Sequence, residues 1–304
     1  HLDFHGDMES YWASKKKLFT DYLVEGPKSG RAVAVINCDN KNGSELAEVL
    51  SVPVIRTGSS SNDSVCVSNT QCDRNSIAGE ISTPGGKFHF KSRLVGKHNL
   101  ENILCAAGVG SALNLPAENL KSGIEAVSVI PGRLEQIENN AGRFVYVDYA
   151  HTPDALENAI KALSAVMQRR IICVFGCGGD RDKEKRPLMG EIAARLCDLA
   201  VVTSDNPRTE DPMAIIAQIL DGARKANSRD YSASALKDGF KEKGYVVEAD
   251  RQRAIQLGIS VSEAGDTVLI AGKGHETYQI LGTSTIAFDD RQEARKALRA
   301  VSRH

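Results

Sequence analysis

Four short apolar segments in the second half of the chain are each followed by an unusual set of glycine and charged residues. The sets read DYAHTP from Asp148, GCGGDRDK from Gly176, SDNPR from Ser204 and GKGHETY from Gly272. Arg181 and Arg208 offer planar guanidinium groups to carboxylates, whereas Glu276 offers an acceptor to an ammonium group. One such set alone is as well explained by a turn. The four together predict a site for a zwitterionic, amino-acid-like ligand.

The same sets contain groups suited to a nucleotide. The glycines of 176–179 allow backbone N–H groups to approach an anion, and Lys183 adds a compact positive charge for a phosphate. Asp148 and His151 are candidates for contacts with a ribose or a base edge. Capping of a helix by Asp148 or Thr152 is the alternative interpretation.

The elements that must position these residues form a repeating pattern from Arg133 onward. Strands are predicted at 144–148, 170–176, 199–204 and 267–272, and amphipathic helices are predicted between them, including 186–197 and 211–226. Short apolar strands separated by helices predict a parallel sheet, because parallel neighbours need crossover connections. Ligands of such sheets bind at the carboxyl ends of the strands, where the four sets lie. We therefore predict a Rossmann-like α/β domain.

The first part of the chain has a different pattern. A polar helix opens it, strands are predicted at 31–37 and 52–56, two β segments flank the turn at Pro84, and a helix is predicted at 98–113. The Ser/Asn-rich stretch 57–71 is assigned to strands and loops of the same domain. With Pro131 and Gly132 as the predicted hinge, residues 1–131 form one domain and residues 132–304 a second.

Composition limits the class of protein. The 304 residues include 38 Lys and Arg against 39 Asp and Glu, a formal charge of −1, and 41% are hydrophobic. This balance excludes a disordered tail and a strongly basic nucleic-acid binder. No apolar run reaches the roughly 18 residues that span a bilayer, and seven cysteines without a C-x-x-C pair favour reduced thiols. We expect a cytoplasmic protein with no nucleic-acid or membrane partner.

The quoted stretches resemble motifs of the Mur ligase family of peptidoglycan synthesis. The resemblance extends from HLDFHGDMESYWASKK at the start through GKHNLENILCAAG and PGRLE to DYAHTPDAL, FGCGGDRDKEKRPLMG, SDNPRTEDP and AGKGHETYQ. It implies a truncated central ATP-binding α/β domain followed by a Rossmann-like C-terminal α/β domain that binds an amino acid.

The resemblance also implies roles for individual residues. Lys15, as its carbamate, and His1 match groups that hold Mg²⁺, and Lys183 matches a lysine near the transferred phosphate. Lys15 and Lys183 are the implied catalytic residues. Contacts with ATP are implied for His98, Asn99, Arg133, Asp148 and His151. The pocket for the incoming amino acid is implied to consist of Arg181, Asp205, Asn206, Pro207, Arg208, Gly272 and Glu276.

The implied reaction is the ATP-dependent addition of meso-diaminopimelate to UDP-MurNAc-L-Ala-D-Glu through an acyl phosphate. The DNPR form of the motif, which ends at Arg208, is the form associated with meso-diaminopimelate. Arg208 can pair bidentately with the distal carboxylate that diaminopimelate has and lysine lacks. It is the residue expected to determine substrate choice.

No Gly-Lys pair in the sequence is followed by Ser or Thr, so a Walker A phosphate loop is not visible. The family's ATP loop and its UDP-sugar domain precede the segment that His1 matches. We therefore expect a fragment of a ligase that does not ligate alone. The alternative is a non-catalytic interaction module derived from a ligase. A dinucleotide-dependent oxidoreductase is set aside, because no G-x-G-x-x-G follows a strand.

Overall fold

The computed structural model describes residues 7–226 and 228–302. The described chain divides after Ser128 into two compact units. It contains no helix that is both long enough and apolar enough to cross a membrane. All seven cysteines are free thiols.

The first unit opens with helix α1 (Met8–Lys17). The Asp7 carboxylate begins this helix by accepting a hydrogen bond of 2.7 Å from the backbone N–H of Ser10. A π-helical turn, Leu18–Tyr22, continues it. Trp12 and Phe19 pack against a small core that includes Ile36. The predicted opening helix is therefore present, held by its apolar residues.

A five-stranded sheet forms the rest of the first unit. Its strands, in spatial as well as chain order, are β1 (Ala34–Asn37), β2 (Val54–Gly58), β3 (Val65–Cys72), β4 (Ile77–Thr83) and β5 (Gly86–Ser92). The first three strands are parallel and the last two pairings are antiparallel. The helices are α2 (Lys41–Val49), α3 (Lys97–Ala112) and α4 (Ala117–Ala126). The strand predicted from residue 31 starts at Ala34, because a 3₁₀ turn occupies Ser29–Arg31.

The second unit contains a seven-stranded sheet. Its strands are β6 (Glu135–Gln136), β7 (Phe144–Asp148), β8 (Ile171–Phe175), β9 (Leu199–Val202), β10 (Arg229–Tyr231), β11 (Gly244–Val247) and β12 (Thr267–Ala271). The spatial order is β10-β11-β9-β8-β12-β7-β6. Every pairing is parallel except that of β6 with β7. The predicted parallel α/β sheet is confirmed, and its central strands β8, β9 and β12 are buried along their whole length.

Helices connect these strands, as the periodicity predicts. They are α5 (Pro153–Ser164), α6 (Lys185–Leu196), α7 (Pro212–Ala223), α8 (Arg251–Ser260) and α9 (Asp290–Val301). The helix predicted to reach residue 226 ends at Ala223, and its last turn, Arg224–Ala226, is 3₁₀. A two-stranded hairpin, β13 (Tyr278–Leu281) and β14 (Ser284–Ala287), precedes α9. Local sequence patterns predicted neither this hairpin nor β10 and β11.

Candidate functional site

The four glycine-rich and charged segments follow β7, β8, β9 and β12, which are adjacent in the sheet in the order β9-β8-β12-β7. Because these strands are parallel, their carboxyl ends lie at one edge. Backbone hydrogen bonds join the segments directly: Gly179 N–H donates to Asn206 O at 2.9 Å, and Gly272 N–H donates to Asp148 O at 3.1 Å. The predicted juxtaposition of the four loops is therefore observed.

Asn206 connects the loop after β9 with the loop after β12. Its side-chain oxygen accepts hydrogen bonds from Lys273 Nζ at 3.1 Å and from the backbone N–H of Ile280 at 3.0 Å. Its side-chain nitrogen donates to Glu276 Oε2 at 3.1 Å. Asn206 is 4% exposed, so this carboxamide is a fixed part of the loop. The other carboxylate oxygen of Glu276, Oε1, makes no hydrogen bond with the described residues.

Asp205 and Pro207 flank Asn206, and both are buried. The Asp205 carboxylate lies 3.7 Å from Lys273 Nζ, and its backbone carbonyl accepts a hydrogen bond of 2.6 Å from Gln279. The carbonyl of Pro207 lies against Gly179 so closely that a Cβ atom at position 179 would overlap it. The glycines after β8 thus permit the close approach of the loop after β9.

Arg208 adopts the left-handed backbone conformation, with φ of 52°. The hairpin holds it there, since the Arg208 N–H donates to Ile280 O at 3.3 Å. Its Nη1 donates to Gly179 O at 2.8 Å and to Asn206 O at 3.4 Å. Its Nε and Nη2 have no hydrogen-bond partner in the described part of the chain. A non-glycine residue with positive φ carries backbone strain, which here occurs at the residue predicted to determine substrate choice.

Arg181 lies beside Arg208. A Cβ built on Gly178 would be 3.0 Å from Arg208 Nη1 and 3.8 Å from Arg181 Cγ, so the two arginines flank the same glycine. Arg181 is exposed and donates from Nη1 to Asp180 O at 2.9 Å. Lys183 is also exposed, and its Nζ lies 3.7 Å from Glu210 Oε2. The structure therefore brings both predicted guanidinium groups to one loop.

An arginine that the sequence analysis did not single out holds this loop in place. Arg186 is fully buried, and its guanidinium donates to both carboxylate oxygens of Glu210, to Gln218 and to the carbonyl of Gly178. These charged hydrogen bonds lower the pKa of Glu210 to about 2. Arg186 is spaced three and seven residues from Met189 and Ala193, which are also buried. This helical spacing is the sequence signal that Arg186 lies on the buried face of α6.

Tyr149 links the loops after β7 and β12. Its ring centroid lies 4.6 Å from that of His151 and 5.2 Å from that of His275, and the Arg133 guanidinium carbon is 5.2 Å from it. Burial raises the pKa of the Tyr149 hydroxyl, and the negative charge of Glu276 raises it further. Arg133 and His151, which are both predicted to contact the nucleotide, thus lie beside the same tyrosine ring.

The Asp148 carboxylate accepts hydrogen bonds from the backbone N–H groups of Leu134, at 2.7 Å, and Ala150, at 2.8 Å. Nδ1 of His151 is 2.8 Å from the carbonyl of Tyr149. Thr152 caps α5, so the capping alternative is confirmed for this residue. The Asp148 carboxylate organises backbone at the strand end, and its predicted contact with a nucleotide stays a prediction.

The remaining predicted residues belong to the first unit. Lys15 is exposed on α1 with its Nζ 4.9 Å from the centroid of the Tyr11 ring. His98 is half-buried in the first turn of α3, whereas Asn99 is fully buried and donates to the carbonyl of Val95 at 2.8 Å. His1 lies outside the described residues. Within residues 7–226 and 228–302, no group of three or more His, Cys, Asp or Glu side chains is arranged to hold a metal ion.

Two further buried cations lie at the end of β12: Lys273 belongs to the loop that follows it, and Arg251 contacts its last residue. Lys273 contacts Asn206, Glu276 and Asp205, as described above. Arg251, on α8, donates from Nε and Nη2 to the Asp290 carboxylate at 2.8 and 2.7 Å and from Nη2 to Ala271 O at 3.0 Å. Neither residue has a role predicted from the sequence, although the two glycines around Lys273 are a signal of a tightly constrained turn.

Comparisons with known proteins match both units. The model of the Mur ligase middle domain matches residues 1–110, and that of the Mur ligase glutamate ligase domain matches residues 132–274. The UDP-N-acetylmuramoyl-L-alanyl-D-glutamate--2,6-diaminopimelate ligase of Geobacter metallireducens is 49% identical over 302 residues. This alignment covers 99% of the present chain but 59% of that relative, so the chain spans about three fifths of the relative's length.

Solved structures agree with these matches. A structure of a UDP-N-acetylmuramoyl-L-alanyl-D-glutamate--2,6-diaminopimelate ligase, 30% identical, aligns with 100% of this chain and 58% of its own, with a TM-score of 0.59. The MurF ligase of Thermotoga maritima, solved in complex with ADP, aligns with 100% of this chain and 60% of its own, with a TM-score of 0.67. It is 16% identical, and at that identity the likeness shows the fold alone. Since the two family models together match most of its length, the chain belongs to the Mur ligase family.

Proposed function

We propose that the protein takes part in the ATP-dependent ligation of meso-diaminopimelate to UDP-MurNAc-L-Ala-D-Glu, and that the second unit binds the incoming amino acid. One observation carries this proposal. Open donors of Arg208 and an open acceptor of Glu276 lie on loops that Asn206 joins by direct hydrogen bonds. Such a pair suits a ligand with carboxylate and ammonium groups.

The positive side of the site favours carboxylates. Nη1 of Arg208 donates hydrogen bonds to two backbone carbonyls, and these bonds fix the guanidinium plane. Nε and Nη2 make no hydrogen bond with the described residues. These two nitrogens form the edge of the guanidinium that pairs bidentately with a carboxylate. Arg181, which also lies beside Gly178, is exposed and available for a second contact.

The negative side favours an ammonium group. Asp205 and Glu276 are two carboxylates, and Lys273 is the one described cation within 4 Å of both. One unit of negative charge is therefore not balanced within this trio. An ammonium group of the ligand would supply the missing positive charge, which supports an amino-acid substrate rather than a carboxylic acid that lacks an amino group.

Diaminopimelate is favoured over lysine for two reasons. The relative that is 49% identical is named as a 2,6-diaminopimelate ligase. The fixed Arg208 guanidinium also matches the additional carboxylate of diaminopimelate, which lysine cannot provide. A site built to pair with a polar group discriminates strongly against the analogue that lacks it, because its own polar groups then stay unpaired.

The first step of the proposed reaction is acyl activation. ATP supplies a phosphoryl group to the γ-carboxylate of the D-glutamyl residue, the amine of the amino acid attacks the acyl phosphate, and phosphate leaves as the amide forms. Among the residues proposed to contact ATP, Arg133, Asp148 and His151 lie together at the end of β7, and Lys183 follows β8. His98 and Asn99 belong to α3, and the burial of Asn99 limits its direct contact with a ligand.

Magnesium and a carbamate on Lys15 belong to the same proposal. Lys15 is exposed, so its amine is accessible for carbamylation. The described residues do not by themselves form a metal site, and no step is assigned to the ion. The cytoplasm, where nucleotide-linked precursors and ATP are available, is the proposed location.

The experiment that tests this function measures product formation by the gene product that carries these residues. It is incubated with ATP, UDP-MurNAc-L-Ala-D-Glu and an equimolar mixture of meso-diaminopimelate and L-lysine, and the products are identified by mass spectrometry. The diaminopimelate tripeptide is expected to predominate, and its formation should require ATP. Predominance of the lysine product would contradict the assignment of substrate. A protein that forms neither product would favour the non-catalytic interaction module.

A further inference from the structure

Lys273 is a buried cation of the candidate site and has no exposed surface. Its Nζ contacts Asn206 Oδ1 at 3.1 Å and Glu276 Oε2 at 3.1 Å, and it lies 3.7 Å from Asp205 Oδ1. It is also 5.5 Å from the centroid of the Tyr278 ring. A buried lysine is costly unless its charge is compensated, so these contacts define where the ammonium group can lie.

The local backbone directs the lysine inward. β12 ends at Ala271, and the glycines on both sides of Lys273 have positive φ, 119° at Gly272 and 55° at Gly274. A Cβ at Gly272 would lie 2.7 Å from Asp205 Oδ2, and a Cβ at Gly274 would lie 2.7 Å from Tyr149 Cβ. Only glycine allows this turn to pack between the loops after β9 and β7 while Lys273 points beneath Asn206.

The three partners of Lys273 include the groups proposed to hold the amino acid. Asn206 and Glu276 hydrogen bond to one another as well as to Lys273, so the three side chains form a closed triangle of contacts. Since Lys273 and Asn206 both bind Oε2 of Glu276, the carboxylate is oriented with Oε1 open. The lysine thus determines which carboxylate oxygen is free.

We propose that Lys273 is a positioning residue of the amino-acid pocket. It fixes the orientation of Glu276 and Asn206 and separates the Glu276 carboxylate from that of Asp205, so that a ligand ammonium binds at Glu276 Oε1. This inference rests on the proposed function, because it assigns the ligand of the same site. Lys273 acts through its partners and does not touch the reacting atoms.

A structural role alone would have a different signature. Lys273 could stabilise the fold as any compensated buried charge does, and its loss would then lower stability without a specific effect on the ligand. Asp266 provides a matched control. It is fully buried, immediately precedes β12 and pairs with Arg170, so it is a buried ionic group at the opposite end of the same strand.

The experiment is a double-mutant cycle on the 304-residue chain, with meso-diaminopimelate binding measured by isothermal titration calorimetry and thermal unfolding measured in parallel. The variants are Lys273→Met, Glu276→Gln and the pair together, with Asp266→Asn as the control. Lys273→Met should weaken binding by about tenfold or more, as expected for a lost charged hydrogen bond. Adding Lys273→Met to Glu276→Gln should have little further effect, because the lysine acts through the carboxylate. Asp266→Asn should lower the melting temperature and leave the affinity within about twofold.

Two results would overturn the proposal. One is binding by Lys273→Met that is as tight as that of the unchanged chain; the other is losses that multiply in the double variant. If Lys273→Met does not fold, Lys273→Gln, which keeps a donor N–H group without the charge, carries the same test, with an expected loss of about three- to tenfold. Failure of the unchanged chain to bind meso-diaminopimelate would overturn the proposed function together with this inference. Equally tight binding by the unchanged chain and by the Lys273 variant would overturn the inference alone.

Discussion

The guanidinium group of Arg186 holds the carboxylate of Glu210 through two hydrogen bonds, of 2.8 and 2.9 Å, one to each oxygen. Glu210 Oε1 also accepts a bond of 2.6 Å from the backbone N–H of Asp180, and Arg186 donates to the carbonyl of Gly178 at 3.1 Å. One buried arginine thus connects the loop that carries Arg181 with the segment that follows Arg208.

This relationship predicts a pH dependence of stability. The pKa of Glu210 is about 2 in the folded protein, below its ordinary value of 4.5. A group with a lowered folded pKa contributes stability that is complete above the unfolded pKa and is lost as the pH falls toward the folded pKa. Glu210→Gln should therefore reduce the free energy of unfolding by about 2 kcal/mol at pH 7. In urea unfolding experiments, this difference should shrink between pH 4.5 and about 2. A difference that stays constant over that range would contradict the ionic role of Glu210.

Replacement of Arg208 should reduce the affinity for the ligand much more than the stability of the fold. Arg208→Gly removes the strain of a non-glycine residue at φ of 52° but also removes the guanidinium hydrogen bonds and increases the freedom of the unfolded chain. The first effect stabilises and the other two destabilise, each by about 1 kcal/mol, so the free energy of unfolding should fall by only about 1 kcal/mol. Binding of meso-diaminopimelate should nevertheless be lost, as calorimetry can measure. Arg208→Gly binding at the original affinity would exclude the guanidinium from the site.

The adjacent residues Asp289 and Asp290 should differ in their contributions to stability. Asp290 is fully buried against Arg251, so Asp290→Asn leaves a buried arginine without its counter-ion, at an expected cost of about 3–5 kcal/mol. Asp289 begins α9 and pairs with Arg291. Asp289→Asn keeps a good helix-capping residue and should cost about 1 kcal/mol or less. Urea unfolding of the two variants tests this contrast, and equal losses would contradict the importance of the buried pair.

The cysteines should react according to their burial. Burial raises the pKa of the Cys177 thiol to about 12, and a hydrogen bond with Cys173, together with burial, raises the pKa of Cys197, so neither is a thiolate at pH 8. Cys72 is exposed. Treatment of the folded chain with iodoacetamide at pH 8, followed by peptide mass spectrometry, should label Cys72 and leave Cys177 and Cys197 unmodified. Unfolding in urea should make all three reactive. Rapid labelling of Cys177 in the folded chain would show that its loop opens.

Much of the second unit follows from local patterns. Continuous apolar runs identified β7, β8, β9 and β12, and their flanking charged segments identified the edge of the sheet at which a site could form. The structure confirms that these four strands are neighbours. In contrast, β10 (Arg229–Tyr231) contains two exposed polar residues, and its pairing with β11 depends on tertiary contacts that no local pattern reveals.

The buried charged residues were the least predictable part of the site. Lys183 and Arg186 belong to one run of charged residues, but Lys183 is exposed and Arg186 is fully buried. Arg186 hydrogen bonds to Glu210 and Gln218, which are 24 or more residues away in the sequence, so its burial depends on tertiary contacts. Lys273 is similar, because its partner Asn206 is 67 residues away. Residue type alone therefore singled out the groups that we propose to face a ligand, but not those that position them.

The most direct test of the central claim compares the affinities of the 304-residue chain for meso-diaminopimelate and L-lysine, before and after Arg208→Lys. Calorimetry of the unchanged chain should give an affinity for meso-diaminopimelate at least about tenfold higher, because the Arg208 guanidinium pairs with the additional carboxylate. Arg208→Lys keeps the charge but loses the planar fork, so the preference should fall to about twofold or less. Equal affinities for the two amino acids in the unchanged chain, or a preference that survives Arg208→Lys, would contradict the assignment of this site.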